Sequence, residues 1–425
     1  MRIFLFIIIL VFNYLFSFSQ NINGNWRGNI DVNGNQIPLV FHFYKDSLGN
    51  INGKWDSPAQ NANNLPCSDI TVYGDSIKIG LKIISGYYNG KLITADSISG
   101  MWHQGNGSVP LNFKKFTDTV ESDKKISYPN EKEISITSAG GSKLFGTLLS
   151  KNNNQKLAII IAGSGPTDRN GNNPMGVKSA TYEMLAHALD SQNIATFRFD
   201  KRGLGKSMVD DFDESKMIFD DYINDAGKIF DYLHDTLGFK DIYFIGHSEG
   251  SLIGMVASQK KKVKGFVSIA GAGRPIDEVI EEQVKSQPLP DSIKTKITLV
   301  FNELKKGKEV NNVPAPLNPI FRNSIQPYMI SWLKYSPARE IKKLNCPVLI
   351  LQGTCDKQIK IEDAKNLHNA NKKSTLDIIP LMTHTLKNTD AGCKDENNKT
   401  YMNPSLPINK KLAGDIVDFI KNRFE

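Results

Sequence analysis

The sequence contains little cysteine, and this scarcity excludes two kinds of protein. Its 425 residues include four cysteines, too few for a disulfide scaffold, and no two of them form the Cys-x-x-Cys pair typical of zinc sites. Lys and Arg outnumber Asp and Glu by 52 to 44, yet no basic run with interleaved aromatic residues is present. We therefore expect neither a zinc site nor a nucleic-acid partner.

Long hydrophobic runs are also lacking, except at the start of the sequence. Residues 1–20 carry a positive charge at Arg2, then an apolar stretch over 3–16 and the small residue Ser19, which is the pattern of a signal peptide. The apolar stretch is shorter than the ~20 residues of a membrane-spanning helix, and Asn13 interrupts it. We expect cleavage near Ser19, export to the periplasm or the cell exterior, and no membrane anchor afterwards.

Residues 21–116 lack any helix-length amphipathic segment. Apolar and polar residues alternate in short runs such as 37–44 and 76–83, which are separated by turn signals such as Asn33-Gly34. Because successive side chains of a strand point to opposite faces, this period of two predicts half-buried antiparallel strands. We expect a small all-β domain, either a sandwich or a barrel. Three tryptophans are expected in its core or at its rim: Trp26, Trp55 and Trp102.

A polar linker is predicted over 117–132, and the pattern changes after it. From 133 to 425, apolar runs such as 157–162 and 242–245 alternate with helical periods, of which 217–237 is the clearest. Such runs are typical of strands buried on both faces of a parallel sheet. Their alternation with helices predicts an α/β fold with the sheet between two layers of helices.

This alternation stops between about 272 and 343, where prolines separate helical segments. The segments predicted are 276–285, 292–306 and 327–334. We expect the insertion to form a helical cap over the pocket. It is rich in lysine, and these side chains either attract acidic substrates or, as we favour, face solvent. The lysines concerned are Lys294, Lys296, Lys305, Lys306 and Lys308.

A Gly-x-Ser-x-Gly motif follows the apolar run 241–245. The motif is Gly246-His247-Ser248-Glu249-Gly250, and a helical segment follows over 251–258, which is the strand–turn–helix setting of a nucleophile elbow. The turn is so sharp that a Cβ at either glycine would crowd the strand or the helix. We therefore predict that Ser248 is a nucleophile at a helix N-terminus, where N–H groups favour negative charge. His247 is a candidate for contact with a loop or with substrate.

A serine nucleophile needs two N–H donors for the oxyanion that forms during attack. The backbone N–H of Glu249 is one candidate, and the loop after the strand 157–162 supplies the other. We choose Ser164 in that loop, with Gly165 next, because small residues let the backbone approach substrate. The loop lacks the Lys-Ser/Thr ending of a phosphate-binding P-loop. Two further loop residues either pair with each other, which we favour, or touch substrate: Asp168 and Arg169.

The base and its orienting acid are expected downstream of Ser248. His384 lies in a loop after the strand-like segment 375–379, in the position that the order Ser…Asp…His requires. Asp356 follows the apolar run 348–351 and would accept the Nδ1–H of His384, which holds the tautomer of the base. Three other acidic residues compete with it: Glu362, Asp363 and Asp377.

These motifs in this order resemble the α/β-hydrolase superfamily. The segments AGSGPTDRNGN, FDKRGLGKS (199–207), GHSEG, LQGTCDKQI and LMTHTLK are similar to those of bacterial carboxylesterases related to the serine aminopeptidase-like (S33-type) hydrolases, some of which carry an N-terminal β-domain. The resemblance implies a mostly parallel sheet flanked by helices and a triad of Ser248, His384 and Asp356. It also implies hydrolysis of short-chain esters through an acyl-enzyme, without a metal or a cofactor.

Two cysteines depart from the pattern of that group. Cys355 directly precedes the predicted acid, and Cys393 follows the predicted base. Both are expected in loops near the site. A disulfide between them, which export would permit, is our hypothesis.

The sequence is compatible with three functions. The first is a secreted serine carboxylesterase acting on small esters. The second is an amide- or peptide-cleaving enzyme of the aminopeptidase type, which needs an acidic cap residue to receive the ammonium group of its substrate. The third is a binding module, in which the β-domain engages a glycan or a partner and hydrolysis is secondary. The acidic residues available for the second function are Glu278, Glu281, Glu282 and Glu303.

Overall fold

A computed structural model of the chain describes residues 22–422, apart from short stretches within that range. Those stretches are 33–34, 47–48, 58–61, 82–85, 105–106, 117–129, 139, 152–154, 174–176, 209–211 and 396–398. The chain divides into two compact units, Met1–Ile126 and Ser127–Glu425. The predicted signal peptide and most of the predicted linker lie outside the described residues. In the described part, none of the helices has the length and apolarity that crossing a membrane requires.

The described residues of the first unit form nine strands in one antiparallel sheet. The strands are β1 (Gly24–Val32), β2 (Asn35–Lys45), β3 (Ile51–Ser57), β4 (Ala62–Pro66), β5 (Asp69–Tyr73), β6 (Ser76–Leu81), β7 (Gly86–Thr94), β8 (Ser97–Gln104) and β9 (Gly107–Phe116). Their order across the sheet is β4-β3-β2-β1-β9-β8-β7-β6-β5. Most strands therefore pair with their neighbours in the sequence, as expected for short strands joined by tight turns.

The sheet of the first unit curls around a single hydrophobic core. Trp55 of β3 and Trp102 of β8 have ring centroids 6.2 Å apart, although three strands lie between them in the sheet. Neighbouring strands are about 4.8 Å apart, so a flat sheet would separate these rings by much more. The unit is therefore one curled, barrel-like sheet rather than a sandwich of two sheets. Trp26 is buried in the same core, so all three tryptophans are core residues.

The described residues of the second unit form an eight-stranded mixed sheet. The strands are β10 (Glu131–Thr137), β11 (Lys143–Leu149), β12 (Lys156–Ile161), β13 (Ala195–Phe199), β14 (Asp241–His247), β15 (Gly265–Ile269), β16 (Val348–Gly353) and β17 (Thr375–Ile379). Their order is β10-β11-β13-β12-β14-β15-β16-β17. All pairs from β13 to β17 are parallel, and β11 is antiparallel to both of its neighbours. This mostly parallel sheet with one reversed strand confirms the predicted α/β-hydrolase fold.

Helices cover both faces of this sheet. They are α1 (Thr181–Ser191), α2 (Phe219–Asp231), α3 (Glu249–Lys260), α4 (Ile276–Lys285), α5 (Asp291–Lys305), α6 (Asn318–Phe321), α7 (Gln326–Trp332), α8 (Pro337–Lys342), α9 (Ile361–Ala370), α10 (Lys399–Met402) and α11 (Lys410–Asn422). In β12, Leu157 and Ile161 belong to a core shared with α2 and α3, whereas Ala158 and Ile160 belong to one shared with α1 and α11. Both faces of the strand are apolar because both are covered.

The insertion between β15 and β16 is helical, as predicted. Helix α4 has the predicted bounds, and α5 and α7 each begin one residue before the predicted segments. Side chains such as Ile297, Phe301 and Phe321 pack into the core that α2 and α3 share. Of the five lysines of the insertion named above, Lys294 is half-buried and the other four are exposed. Lys305 and Lys306 form ion pairs with acidic residues of the insertion itself, which agrees with a solvated face.

One predicted boundary differs from the structure. Strand β10 begins at Glu131, so the hydrolase unit starts before residue 133 and the last two residues predicted as linker belong to the sheet. The Glu131 carboxylate accepts a hydrogen bond from Nη2 of Arg198 at 2.7 Å. Glu131 and Arg198 are 67 residues apart in the sequence. The linker was predicted from the local polarity of residues 117–132, which does not reveal such a contact, so the predicted boundary was wrong.

Candidate active site

Ser248 lies at a sharp turn between β14 and α3. Its backbone angles are φ 54° and ψ −120°, in a region that strains any residue with a side chain. A Cβ at Gly246 would lie 2.2 Å from the carbonyl oxygen of Gly250, and one at Gly250 would lie 2.3 Å from that of Ile161. Close backbone approach therefore requires both glycines of the motif. The turn leaves Ser248 half-exposed at the carboxyl end of the sheet.

His384 and Asp356 form a hydrogen-bonded pair in the loops after β17 and β16. Nδ1 of His384 lies 2.8 Å from Oδ2 of Asp356. The other carboxylate oxygen accepts the backbone N–H groups of Gln358 at 2.8 Å and Ile359 at 2.9 Å. Burial works to raise the pKa of Asp356, but His384 and these N–H groups outweigh it and hold the pKa below its usual value. Asp356 is thus an ionised acceptor that fixes the orientation of the His384 ring.

The three competing acidic residues have other surroundings. Asp363 is fully buried and accepts hydrogen bonds from the Arg274 guanidinium at 2.9 and 3.0 Å. Asp377 pairs with Lys411, and Glu362 is exposed on α9. Of the four candidates, Asp356 is the one that the fold brings to His384.

His247, which directly precedes Ser248 in the chain, contacts His384. The His247 side chain is buried and its Nε2 lies 2.9 Å from the carbonyl oxygen of His384, while the two imidazole ring centroids are 4.7 Å apart. Within the described residues, no hydrogen bond joins the Ser248 hydroxyl to His384. In substrate-free sites such contacts are often long and tighten when substrate binds.

A chain of hydrogen bonds runs from the loop after β12 to His384. The N–H of Gly163 donates to the Tyr182 hydroxyl oxygen at 2.9 Å, and this hydroxyl lies 2.7 Å from Nδ1 of His247. Because the His384 carbonyl can only accept, Nε2 of His247 carries the proton and Nδ1 accepts from Tyr182. Burial, with a contribution from His384, lowers the pKa of His247 to about 3. His247 therefore stays neutral and links two loops of the site.

Tyr182 was not predicted from the sequence. It lies in the first turn of α1 and is buried, so it has the pattern of any apolar core position of a helix. No local signal distinguishes it, because its two partners lie 19 and 65 residues away in the sequence.

The two predicted oxyanion donors belong to segments that adjoin Ser248. Glu249 is the first residue of α3, so its N–H is among those that a helix leaves without an intrahelical partner. A Cβ at Gly163 would lie only 3.2 Å from that of Ser248, which shows that the loop backbone approaches the serine closely. Ser164 follows directly and is exposed, and Gly165 has φ 73°. The role of Ser164 and Glu249 as donors stays a prediction.

Asp168 and Arg169 stabilise the loop after β12, but they do not pair with each other. Oδ1 of Asp168 accepts the N–H groups of Asn170 at 2.8 Å and Asn172 at 2.9 Å. Arg169 instead pairs with Asp200, with Nη2 2.7 Å from Oδ2. The expected pairing was wrong because the Asp168 carboxylate is used by the turn of its own loop.

A buried lysine connects the loop after β12 with the elbow. Lys201 follows β13 and is 2% exposed. Its Nζ donates to the Gly163 carbonyl oxygen at 2.7 Å and to Oε2 of Glu249 at 3.0 Å. The hydroxyl of Tyr328, from α7 of the insertion, donates to Oε1 of Glu249 at 2.5 Å. The sequence analysis did not single out Lys201, which it included only in the segment 199–207 that resembles bacterial carboxylesterases. A lysine two residues after the end of a strand was the signal that could have singled it out.

A disulfide joins Cys355 to Cys393, with the Cα atoms 5.0 Å apart. It connects the loop that carries Asp356 with the segment that follows His384, as hypothesised from the sequence. Cys67 and Cys346 are free thiols. In the described part of the chain, no group of three or more His, Cys, Asp or Glu side chains is arranged to hold a metal ion.

Comparison with known proteins identifies relatives of the second unit. The family model "Serine aminopeptidase, S33" matches residues 174–390. The esterase EstD of Thermotoga maritima is 27% identical over 207 residues, which are 48% of this chain and 47% of that protein. The chain thus spans about half the length of this curated relative.

Solved structures of esterases are also similar to the chain. The Pyrococcus furiosus esterase Pf2001 is 15% identical with a TM-score of 0.45, over 68% of this chain and 91% of that one. Est1E from Butyrivibrio proteoclasticus, solved with ferulic acid bound, is 20% identical with a TM-score of 0.44, over 68% of this chain and 97% of that one.

Proposed function

The chain belongs to the serine aminopeptidase S33 family of hydrolases, which its family model matches over half the sequence, and we propose that it is a serine esterase. The observation that carries this proposal is the 2.8 Å pair of His384 and Asp356 beside the strained Ser248. A nucleophile on an elbow, a base oriented by an ionised acid and a small-residue loop against the nucleophile are the components of acyl transfer.

In the proposed reaction, Oγ of Ser248 attacks the ester carbonyl while its proton passes to Nε2 of His384. Asp356 stabilises the imidazolium, and the N–H groups of Glu249 and Ser164 hold the oxyanion. The bond to the alcohol breaks, and the alcohol leaves with the proton from His384. Water then attacks the acyl-enzyme by the same route, so that the carboxylic acid and the free serine are regenerated.

The contacts of three of the four acidic cap residues favour an ester over a peptide. An aminopeptidase needs a carboxylate that can receive the ammonium group of its substrate. Glu281 pairs with Lys285 at 2.7 Å, Glu303 pairs with Lys306 at 2.6 Å, Glu282 is held by Arg274 and Lys360, and Glu278 is exposed. The family name keeps the amide-cleaving function as the second candidate. Activity towards p-nitrophenyl esters beside aminoacyl-anilides distinguishes them, and a preference for the anilides contradicts our proposal.

Ser248→Ala tests the proposal most simply. Because the hydroxyl is the nucleophile, kcat for p-nitrophenyl acetate should fall by about 10⁶-fold. The matched control is Ser251→Ala, three residues further on in α3, where the hydroxyl lies 2.7 Å from that of Ser268. The control is expected to keep kcat within about threefold, since it lacks contact with the reacting atoms. Turnover retained by Ser248→Ala contradicts the assignment.

We also propose that the protein is exported. The signal-peptide pattern of residues 1–20 supports this, and so does the disulfide between Cys355 and Cys393, since such bonds persist in oxidising compartments. N-terminal sequencing of the protein from its native host should give a mature chain that starts at Gln20 or Asn21. A mature chain that retains Met1 contradicts the proposal.

A further inference from the structure

The ammonium group of Lys201 makes three contacts in a buried environment. One is directed to the Gly163 carbonyl oxygen at 2.7 Å and one to Glu249 at 3.0 Å. The ring of Tyr222 lies 4.9 Å from Nζ, as in a cation–π contact. An ammonium has three donors and no acceptor, so these contacts fix its position. A charged group that is 2% exposed is costly unless it is satisfied in this way.

The contact with Gly163 acts on a predicted oxyanion donor. The carbonyl group of Gly163 and the N–H of Ser164 belong to one peptide unit, which is planar and trans, so the two groups point in opposite directions. The structure has no cis peptide bond among its described residues. When Lys201 holds the carbonyl, it therefore also sets the direction of the Ser164 N–H. Its positive charge further polarises the peptide unit and strengthens that N–H as a donor.

The contact with Glu249 acts on the residue that carries the other donor. The side chain of Glu249 is buried and its two oxygens are taken by Lys201 and Tyr328. The backbone N–H of the same residue directly follows Ser248. Lys201 thus bonds to both segments that supply N–H groups for the oxyanion, although it comes from a different loop.

We propose that Lys201 is a positioning residue of the oxyanion hole, which fixes the peptide unit of Gly163 and Ser164 against the elbow. The inference rests on the serine esterase function proposed above. Lys201 touches neither the substrate nor the reacting atoms, and its effect passes through the N–H groups. Loss of its ammonium group should weaken binding of the transition state more than binding of the ester, because the oxyanion exists only during the reaction.

The competing explanation is that Lys201 only neutralises the buried Glu249. Removal of one partner of a buried ion pair destabilises the protein because it leaves an unpaired charge. Lys201→Met alone would produce that result under either explanation. Lys201→Met combined with Glu249→Gln removes both charges and keeps an amide oxygen for Tyr328, so it should fold while lacking the contact with Gly163.

The experiment compares kcat and KM for p-nitrophenyl acetate in the wild type, Lys201→Met and the double variant. We expect kcat to fall about 10²-fold in both variants, the effect of losing one oxyanion donor, with KM within about threefold of the wild type. The affinity for phenylboronic acid, which forms a tetrahedral adduct with a serine nucleophile, should fall by the same factor as kcat/KM.

Arg202→Met is the matched control, since Arg202 is the next residue and also forms an inward ion pair, with Nε 3.0 Å from Asp225. It should lower stability and keep kcat within about threefold. If the double variant has the kcat of the wild type, the positioning role is overturned, and Lys201 only neutralises the charge of Glu249. The proposed function itself would be contradicted if the wild type had no esterase activity, or if Ser248→Ala did not remove it. The two failures are therefore distinguishable.

Discussion

The two units of the chain bury different kinds of side chain. The described residues of the first unit bury Ser57 and no charged group, and their core consists of aromatic and aliphatic side chains such as Trp55 and Phe41, whose rings are 6.4 Å apart. The second unit buries a set of charged and titratable groups beside its core. They include Asp200, Lys201, Asp225, His247, Glu249, Asp363 and His384.

This difference indicates where the chemistry resides. A buried charge costs free energy unless it is paired and hydrogen-bonded, so a unit that serves stability alone has little reason to hold one. In the second unit, several of these groups follow the carboxyl ends of β13, β14 and β17. In the described residues, the groups proposed for the reaction all belong to the second unit, whereas the core of the first unit is uncharged. Three substitutions test this contrast.

Asp356→Asn has the largest expected effect. The amide can no longer accept the Nδ1–H of His384 with a negative charge, and it favours the wrong tautomer of the ring. We expect kcat for p-nitrophenyl acetate to fall about 10⁴-fold, while the urea midpoint of the second unit changes little. Asp377→Asn, at the carboxylate that pairs with Lys411, is the control and should retain activity. Equal activity in both variants would show that Asp356 is not part of the catalytic site.

Trp55→Ala tests the first unit. The side chain is 1% exposed, and removal of such a buried aromatic group costs about 3–5 kcal/mol. We expect that loss in the first unit, measured by hydrogen exchange, which reports local stability along the chain. The kcat for ester hydrolysis should stay within about threefold, because every group proposed for the reaction lies in the second unit. A parallel loss of kcat would break the contrast between the two units.

His247→Asn has the smallest expected effect and concerns pH. The imidazole has a pKa of about 3 in the folded protein and about 6.5 in an unfolded chain. Between these values the unfolded chain binds the proton, so stability is full above pH ~6.5 and falls as the pH drops, by up to about 1.4 kcal/mol per unit. The variant should reduce this slope for the second unit. An unchanged slope between pH 6.5 and 4 would show that His247 is not held neutral.

The sequence predicted the parts of the site that local geometry determines. The spacing of Gly246, Ser248 and Gly250 predicted the elbow, because a Cβ at Gly246 would meet the backbone of Gly250 within the turn itself. The order of apolar runs predicted the parallel sheet and thereby placed Asp356 and His384 in neighbouring loops. Their catalytic roles stay predictions.

The parts that the sequence missed depend on contacts between distant segments. Lys201 and Glu249 are 48 residues apart, and Tyr182 joins segments on either side of α1. The pairing predicted for Asp168 and Arg169 failed for two reasons: the turn of its own loop uses the Asp168 carboxylate, and Asp200 from another loop binds the guanidinium. Proximity in the sequence is a poor guide where buried charges compete for a few partners.

The most direct test of the account is covalent labelling of the nucleophile. The pure protein is treated with a fluorophosphonate, which reacts with activated serines, and the modified peptide is located by mass spectrometry. The account predicts one adduct, on Ser248, that is absent in Ser248→Ala and slower to form in Asp356→Asn. An unlabelled protein, or an adduct on another serine, would contradict the claim that Ser248 is an activated nucleophile.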